Sequence, residues 1–212
     1  MTTEIDTPAA APSVAWPRLL WPALAVILLA VAGSLGYLWW FSRPPAEGDP
    51  EVVFARDMIA HHNQAVEMAL ILRQRTSDAE LAQLGLDIIL TQQAQVGQMQ
   101  GWLEVWRLPF SGPRPPMSDH SQHGADMPPN MGLATALEME SLTTLSASEA
   151  EIQFLRLMIR HHQGGVYMAT HVLDQSPRPE VVRLAQAIVA SQQTEIGYMQ
   201  RLLQERGVAP GP

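Results

Sequence analysis

The chain has 212 residues, 47% of them apolar, which suits one globular domain with appendages. It has no cysteine, which excludes disulfides, thiolate zinc sites, iron–sulfur clusters and cysteine nucleophiles; any metal must be held by His, Met, Asp or Glu. The formal charge is −8 and all 13 basic residues are scattered arginines, which excludes the basic footprint of a nucleic-acid-binding protein.

Residues 1–16 form a short N-terminal tail, and residues 17–41 then run apolar with a single charge, Arg18. At about 1.5 Å per helical residue this stretch crosses a hydrocarbon core of about 30 Å. Trp16, Trp21, Tyr37, Trp39 and Trp40 lie near its ends, where aromatic rings favour the membrane interface. A cleavable signal is the rival reading, because "AVAG" at 30–33 resembles a small-residue cleavage site. The length of the apolar run and the acidic leader favour an uncleaved anchor. Either route puts residues 42–212 outside the cytoplasm, periplasmic or extracellular, and secreted if the segment is cleaved.

The linker at 42–49 ends in Asp49, a candidate N-cap, with Pro50 at the first helical position. Residues 50–107 read as a helical hairpin. Its first helix carries the apolar stripe Val53, Phe54, Met58, His61, Ala65, Met68, Ala69 and Leu72 and ends near Thr76. "SDAE" at 77–80 is a predicted capping box, and a second helix follows through Leu84, Ile88, Gln92, Gln95, Val96, Met99, Trp102 and Leu103. Residues 108–145 form a Met/His/Pro-rich connection without periodicity before a short helix over 133–145. "SASE" at 146–149 starts the second hairpin, 146–207, with helices over about 150–175 and 178–206 and Gly207 as C-cap.

The two hairpins are one unit written twice. "FARDMIAHHNQAVEMA" at 54–69 and "FLRLMIRHHQGGVYMA" at 154–169 share nine of sixteen residues at an offset of one hundred. "IILTQQAQVGQMQGWL" at 88–103 and "IVASQQTEIGYMQRLL" at 188–203 share seven of sixteen at the same offset, without a gap. A hairpin with one apolar stripe cannot bury it alone. Docking hairpin on hairpin predicts an all-α, ferritin-like four-helix bundle behind one N-terminal transmembrane helix.

With Met58 at 0°, His61 falls at about −60°, His62 at about +40° and Met68 at about −80° around the first helix. Imidazole nitrogen and thioether sulfur thus share the inward face. Gln92, Gln95 and Met99 share the stripe of the next helix, as do Gln192, Glu195 and Met199 in the repeat, and an unpartnered polar group there costs about 1 to 3 kcal/mol. Asp57, four residues before His61, is a candidate orienting acceptor. Glu67, Arg73, Arg75 and Arg183 read as solvated surface. Imidazole with thioether and few carboxylates favours copper, since Met selects Cu(I) and His accepts either oxidation state. A di-iron bundle needs Glu-x-x-His, which is absent, whereas Met-x-x-His occurs four times, at 58/61, 117/120, 158/161 and 168/171. The connection adds Met117, His120, His123, Met127 and Met131, a tract able to load metal weakly or to serve as an ordinary linker.

At these residues the chain resembles the bacterial family labelled domain of unknown function 305, built around "F…MI.HH..A..MA" and, on the next helix, "Q…I..M". Both halves carry the pattern. The resemblance implies a ferritin-like bundle, extracytoplasmic copper binding and copper tolerance. The ligand candidates it implies are Met58, His61, His62, Met68 and Met99, with Met158, His161, His162, Met168 and Met199 in the second half. Gly164 and Gly165, where the first half has Gln64 and Ala65, are expected to loosen that helix and make the two sites unequal; His171 replaces Ile71. The reading is a copper-binding protein that buffers copper or hands it to copper-handling partner proteins, without catalysis. The alternatives are a ferritin-like metal oxidase and a structural bundle whose Met and His merely fill a core.

Overall fold

The computed structural model of the protein describes residues 17–117 and 129–209. Among the described residues there are six α-helices and no strand: α1 (Pro17–Ser42), α2 (Pro50–Arg75), α3 (Ala79–Val105), α4 (Ala136–Thr144), α5 (Ala147–Leu173) and α6 (Pro179–Glu205). Residues up to Arg43 form one compact unit and Pro44–Pro212 another. In the first, Leu20–Trp39 is a run of 20 residues with mean hydropathy 1.9 and no buried part, long and apolar enough to cross a membrane.

Each helix of the second unit starts where its capping chemistry allows. Pro50 opens α2, as its fixed φ and missing N–H permit, but Asp49 does not cap it. The Asp49 carboxylate accepts instead from the Ala46 N–H at 2.7 Å. The predicted box at 77–80 is replaced by a simpler cap: Asp78 accepts from the N–H groups of Glu80 and Leu81 at 2.9 and 3.2 Å, so α3 starts one residue later than a Ser77 cap would set it. Ser146 and Glu149 do form a reciprocal box at α5. A second box, Thr135 with Glu138, was not anticipated and delays α4 to Ala136.

α2 packs on α3 and α5 on α6, and the hairpins meet through α2 and α5. These two run antiparallel. Thr76, just past the end of α2, donates from its hydroxyl to Glu151 near the start of α5 at 2.6 Å; Glu51, at the start of α2, accepts from Arg178 beyond the end of α5 at 2.7 Å. Tyr198 of α6 donates to Glu80 of α3 at 2.6 Å, and Arg206 pairs with Asp78.

The antiparallel crossing divides the core in two. One cluster joins Val52, Phe54 and Met58 of α2 and Met99 and Leu103 of α3 with Met168, Ala169 and Val172 of α5. The other joins Ala65, Met68 and Leu72 of α2 and Leu81, Leu84 and Ile88 of α3 with Phe154, Leu155 and Met158 of α5. Each fully buried side chain of this size contributes about 1.5–3 kcal/mol, which is what holds two otherwise marginal hairpins together.

The connection is tied to both hairpins. Gln64 donates to the Ala134 carbonyl and accepts its N–H, at 2.9 and 2.8 Å. Arg160 grips Glu138 through two hydrogen bonds of 2.9 and 2.7 Å and holds that carboxyl down at about 2. Arg75, read as solvated from the sequence, instead donates to the carbonyls of Thr143, at 2.5 Å, and Leu145.

Candidate metal centre

Between the two core clusters, where α2 crosses α5, lie His61, His62, His161 and His162, all with no solvent exposure. The His61 and His161 rings stack at 3.6 Å between centroids, with His62 and His162 each 6.3 Å from its neighbour in sequence. The duplication therefore produces a row of four imidazoles, two from each hairpin.

Every Nε2 has a partner. His61 Nε2 lies 3.0 Å from the Met131 carbonyl and His161 Nε2 lies 2.9 Å from the His61 carbonyl. His62 Nε2 lies 2.7 Å from Gln95 Oε1, and His162 Nε2 lies 2.6 Å from Glu195 Oε2. All four partners are oxygen acceptors, so each ring donates from Nε2–H, and in the neutral ring Nδ1 then keeps its lone pair. Not one of the four buried Nδ1 atoms has a hydrogen-bond partner, and neither do the side-chain amides of Gln92 and Gln192, which are 3% and 2% exposed. Native interiors rarely leave such groups unmet. A ring whose N–H is held by an oxygen while its other nitrogen is bare is the arrangement in which imidazole ligates metal.

Burial keeps His61, His62 and His161 neutral. Burial, reinforced by His62 and opposed by the Met131 carbonyl, lowers His61 to about 3. Burial against the Gln95 hydrogen bond lowers His62 to about 4, and burial with the surrounding imidazoles takes His161 well below its ordinary value.

The sulfur donors flank this row. Met58, Met99, Met131 and Met168 share one cluster, and Met68, Met158 and Met199 share the other, all 4% exposed or less. Each cluster therefore mixes the hairpins: Met58 and Met99 stand with Met168, and Met158 and Met199 with Met68. Among the described residues no three His, Asp or Glu side chains close on one point, so thioethers would have to complete any coordination built on these imidazoles.

Several expectations are corrected. Asp57 does not orient His61; its carboxylate accepts from the Met117 N–H at 2.8 Å, on the connection. His171 stacks parallel on Tyr167 at 6.3 Å and lies within reach of Gln175. It lines a cavity of about 180 Å³ with Phe54, Met168 and the Gly112–Pro116 stretch of the connection. His120, His123 and Met127 lie outside the described residues. Gly164 and Gly165 do not loosen α5, which stays helical through both. A Cβ on Gly164 would stand 1.7 Å from the Met131 carbonyl oxygen, and one on Gly165 would stand 2.3 Å from Gln192 Oε1. The glycines make room, the first for the left-handed turn at Pro129–Gly132, whose Asn130, Met131 and Gly132 all have positive φ, and the second for a buried amide. Met131 was read only as part of the loop; it is 1% exposed and supplies the acceptor for His61. The glycine pair was the signal that could have located it.

The fold and centre define an all-helical protein made of a duplicated hairpin, with a buried imidazole row between methionine clusters. Residues 51–203 match the family described as a domain of unknown function, DUF305, and the chain belongs to that family. It is 44% identical to a DUF305 protein of known structure from Streptomyces coelicolor, designated a secreted protein, over 79% of this chain and 99% of that one, with a TM-score of 0.71. A DUF305 fragment from Deinococcus radiodurans is 40% identical over 76% and 99%, with a TM-score of 0.65. CopM in its Cu(II)-bound form is 28% identical over 74% and 97%, with a TM-score of 0.60, and CopM is also known in Cu(I)-bound and silver-bound forms. Among curated proteins none matches.

Proposed function

We propose that this protein is an extracytoplasmic copper-binding protein that buffers copper, or hands it to a partner, through Met and His ligands in a ferritin-like four-helix bundle. The observation that carries the reading is the set of four buried imidazoles whose N–H groups are all engaged and whose Nδ1 atoms are all bare. The flanking clusters hold the soft donors Met58, Met99, Met131 and Met168 on one side and Met68, Met158 and Met199 on the other, and a donor set of imidazole and thioether selects copper over zinc or iron. The likeness to CopM, crystallised with Cu(I), Cu(II) and silver, supports the same assignment. With the apolar helix α1 as an anchor, the domain would be held at a membrane on its extracytoplasmic side, periplasmic or extracellular. A bundle whose Met and His only fill a core is disfavoured, since it leaves four ring nitrogens and two amides desolvated without return.

The test is a metal titration of residues 44–212 read by elemental analysis. Uptake of Cu(I) and Cu(II) is expected, and His61→Ala combined with His161→Ala should abolish most of the tight binding. Full stoichiometry in that double variant would refute the site, and no uptake by the unaltered domain would refute the function.

A further inference from the structure

We propose that the two halves of the centre are matched to different oxidation states of copper: the His161–His162 half to Cu(II) and the His61–His62 half to Cu(I), with Glu195 as the positioning residue that sets the difference. The inference rests on the copper reading above.

The observation is a broken symmetry in an otherwise repeated arrangement. His62 and His162 are equally buried, and each sends its Nε2–H to a side chain thirty-three residues later on the next helix, at 2.7 and 2.6 Å. In the first half the acceptor is the neutral amide of Gln95; in the second it is the carboxylate of Glu195, whose side chain is 23% exposed. A carboxylate that accepts from an imidazole N–H draws electron density toward Nδ1 and makes that nitrogen a stronger base and ligand. It also brings a full negative charge beside a buried site, and such a charge attracts a dication twice as strongly as a monocation. An amide does neither.

A second asymmetry points the same way. Gly165 lets the Gln192 amide approach α5 so closely that a Cβ there would stand 2.3 Å from its oxygen, whereas the first half has Ala65 in that place. The second half therefore adds a carboxylate and a closely approaching amide, harder groups that suit Cu(II), while each hairpin contributes three buried methionines, so sulfur does not distinguish the halves.

The experiment uses the full-length protein in detergent and two variants, Glu195→Gln and Gln95→Glu. Cu(I) affinity is measured anaerobically by competition with a Cu(I)-specific chelator. Cu(II) affinity is measured by competition with a Cu(II) chelator, and the bound Cu(II) is followed by electron paramagnetic resonance. Glu195→Gln should lower the ratio of Cu(II) to Cu(I) affinity by about 10- to 100-fold and alter the Cu(II) spectrum. Gln95→Glu, which adds a charge at a half-buried position and keeps the proposal testable should the first variant fail to fold, should raise that ratio. Equal changes in both affinities, or an unchanged ratio in Gln95→Glu, would overturn the inference. Absence of copper binding by the unaltered protein would overturn the copper reading instead.

Discussion

Mild acid should destabilise the metal-free domain steeply, in the window where its buried histidines would take protons on unfolding. Burial holds His61 at about 3, His62 at about 4, and His161 well below its ordinary value, whereas in the unfolded chain each takes its proton near about 6.5. The folded pKa values are depressed, so above about pH 7 both states are neutral and stability is flat. As pH falls below 6.5 the unfolded state binds protons that the folded state refuses. At pH 5 His61 and His62 each cost about 2 kcal/mol, about 4 kcal/mol together with a slope of about 3 kcal/mol per pH unit, and His161 adds to the loss in the same direction. That is comparable with the whole stability of an ordinary domain, about 5–15 kcal/mol. Glu138, held at about 2 by Arg160, loses its contribution only at lower pH, so the interval from 6.5 to 5 reports on the imidazoles. The assay is urea denaturation of residues 44–212 at pH 7.5, 6 and 5, since both core clusters lie within that unit. His62→Gln should remove about 1.4 kcal/mol per pH unit of that slope. A loss under about 2 kcal/mol between pH 7.5 and 5 would refute the premise that these rings are buried without compensation for a proton.

Gly164→Ala should cost about 3 kcal/mol in the same denaturation assay, because its methyl would collide with the Met131 carbonyl and strip His61 of its acceptor. Gly97→Ala, on an open face of α3 with nothing within 4 Å of the new Cβ, should instead stabilise by up to about 1 kcal/mol. Ser146→Ala breaks the capping box of α5 and should lower stability by about 1 kcal/mol without changing copper stoichiometry. Silver or cuprous ion at a hundred times its dissociation constant should add about 2.7 kcal/mol to unfolding at pH 7.5, an increment that a competing chelator reverses.

The parts of this protein that repeat were the parts legible in the sequence. The helix pairs, the inward His and Met, and the place of Gln95 and Glu195 on the same stripe follow from a 3.6-residue period met twice at one offset. An anchor-length apolar helix was equally plain from composition. Spacing along one helix brings Asp57 near His61, but a partner of its carboxylate, the Met117 N–H, comes from the connection sixty residues away, where helical period carries no signal. Arg75 was misjudged for the same reason, its acceptors being carbonyls at the end of α4 and just beyond it.

The glycine pair at 164 and 165 shows most directly why the remainder was hidden. Read locally, two glycines in mid-helix cost about 1 kcal/mol each and suggest a loosened segment. In the folded chain that cost is offset by what the missing side chains admit: the Met131 carbonyl reaches His61, and the Gln192 amide lies against α5. A backbone carbonyl from a loop has no residue type by which to announce itself, so no pattern of side chains in the connection foretells it. The only trace it leaves is a vacancy in the residue it packs against. Since the first half keeps Gln64 and Ala65 at these positions, the connection can insert on one side of the duplicated centre and not on the other. Beside the Gln95/Glu195 difference, a second inequality of the halves therefore arises from a single loop docking between two nearly identical hairpins. His61 turns to that loop while His161 turns to the His61 carbonyl, and the symmetry inherited from the repeat is broken at the imidazole row itself.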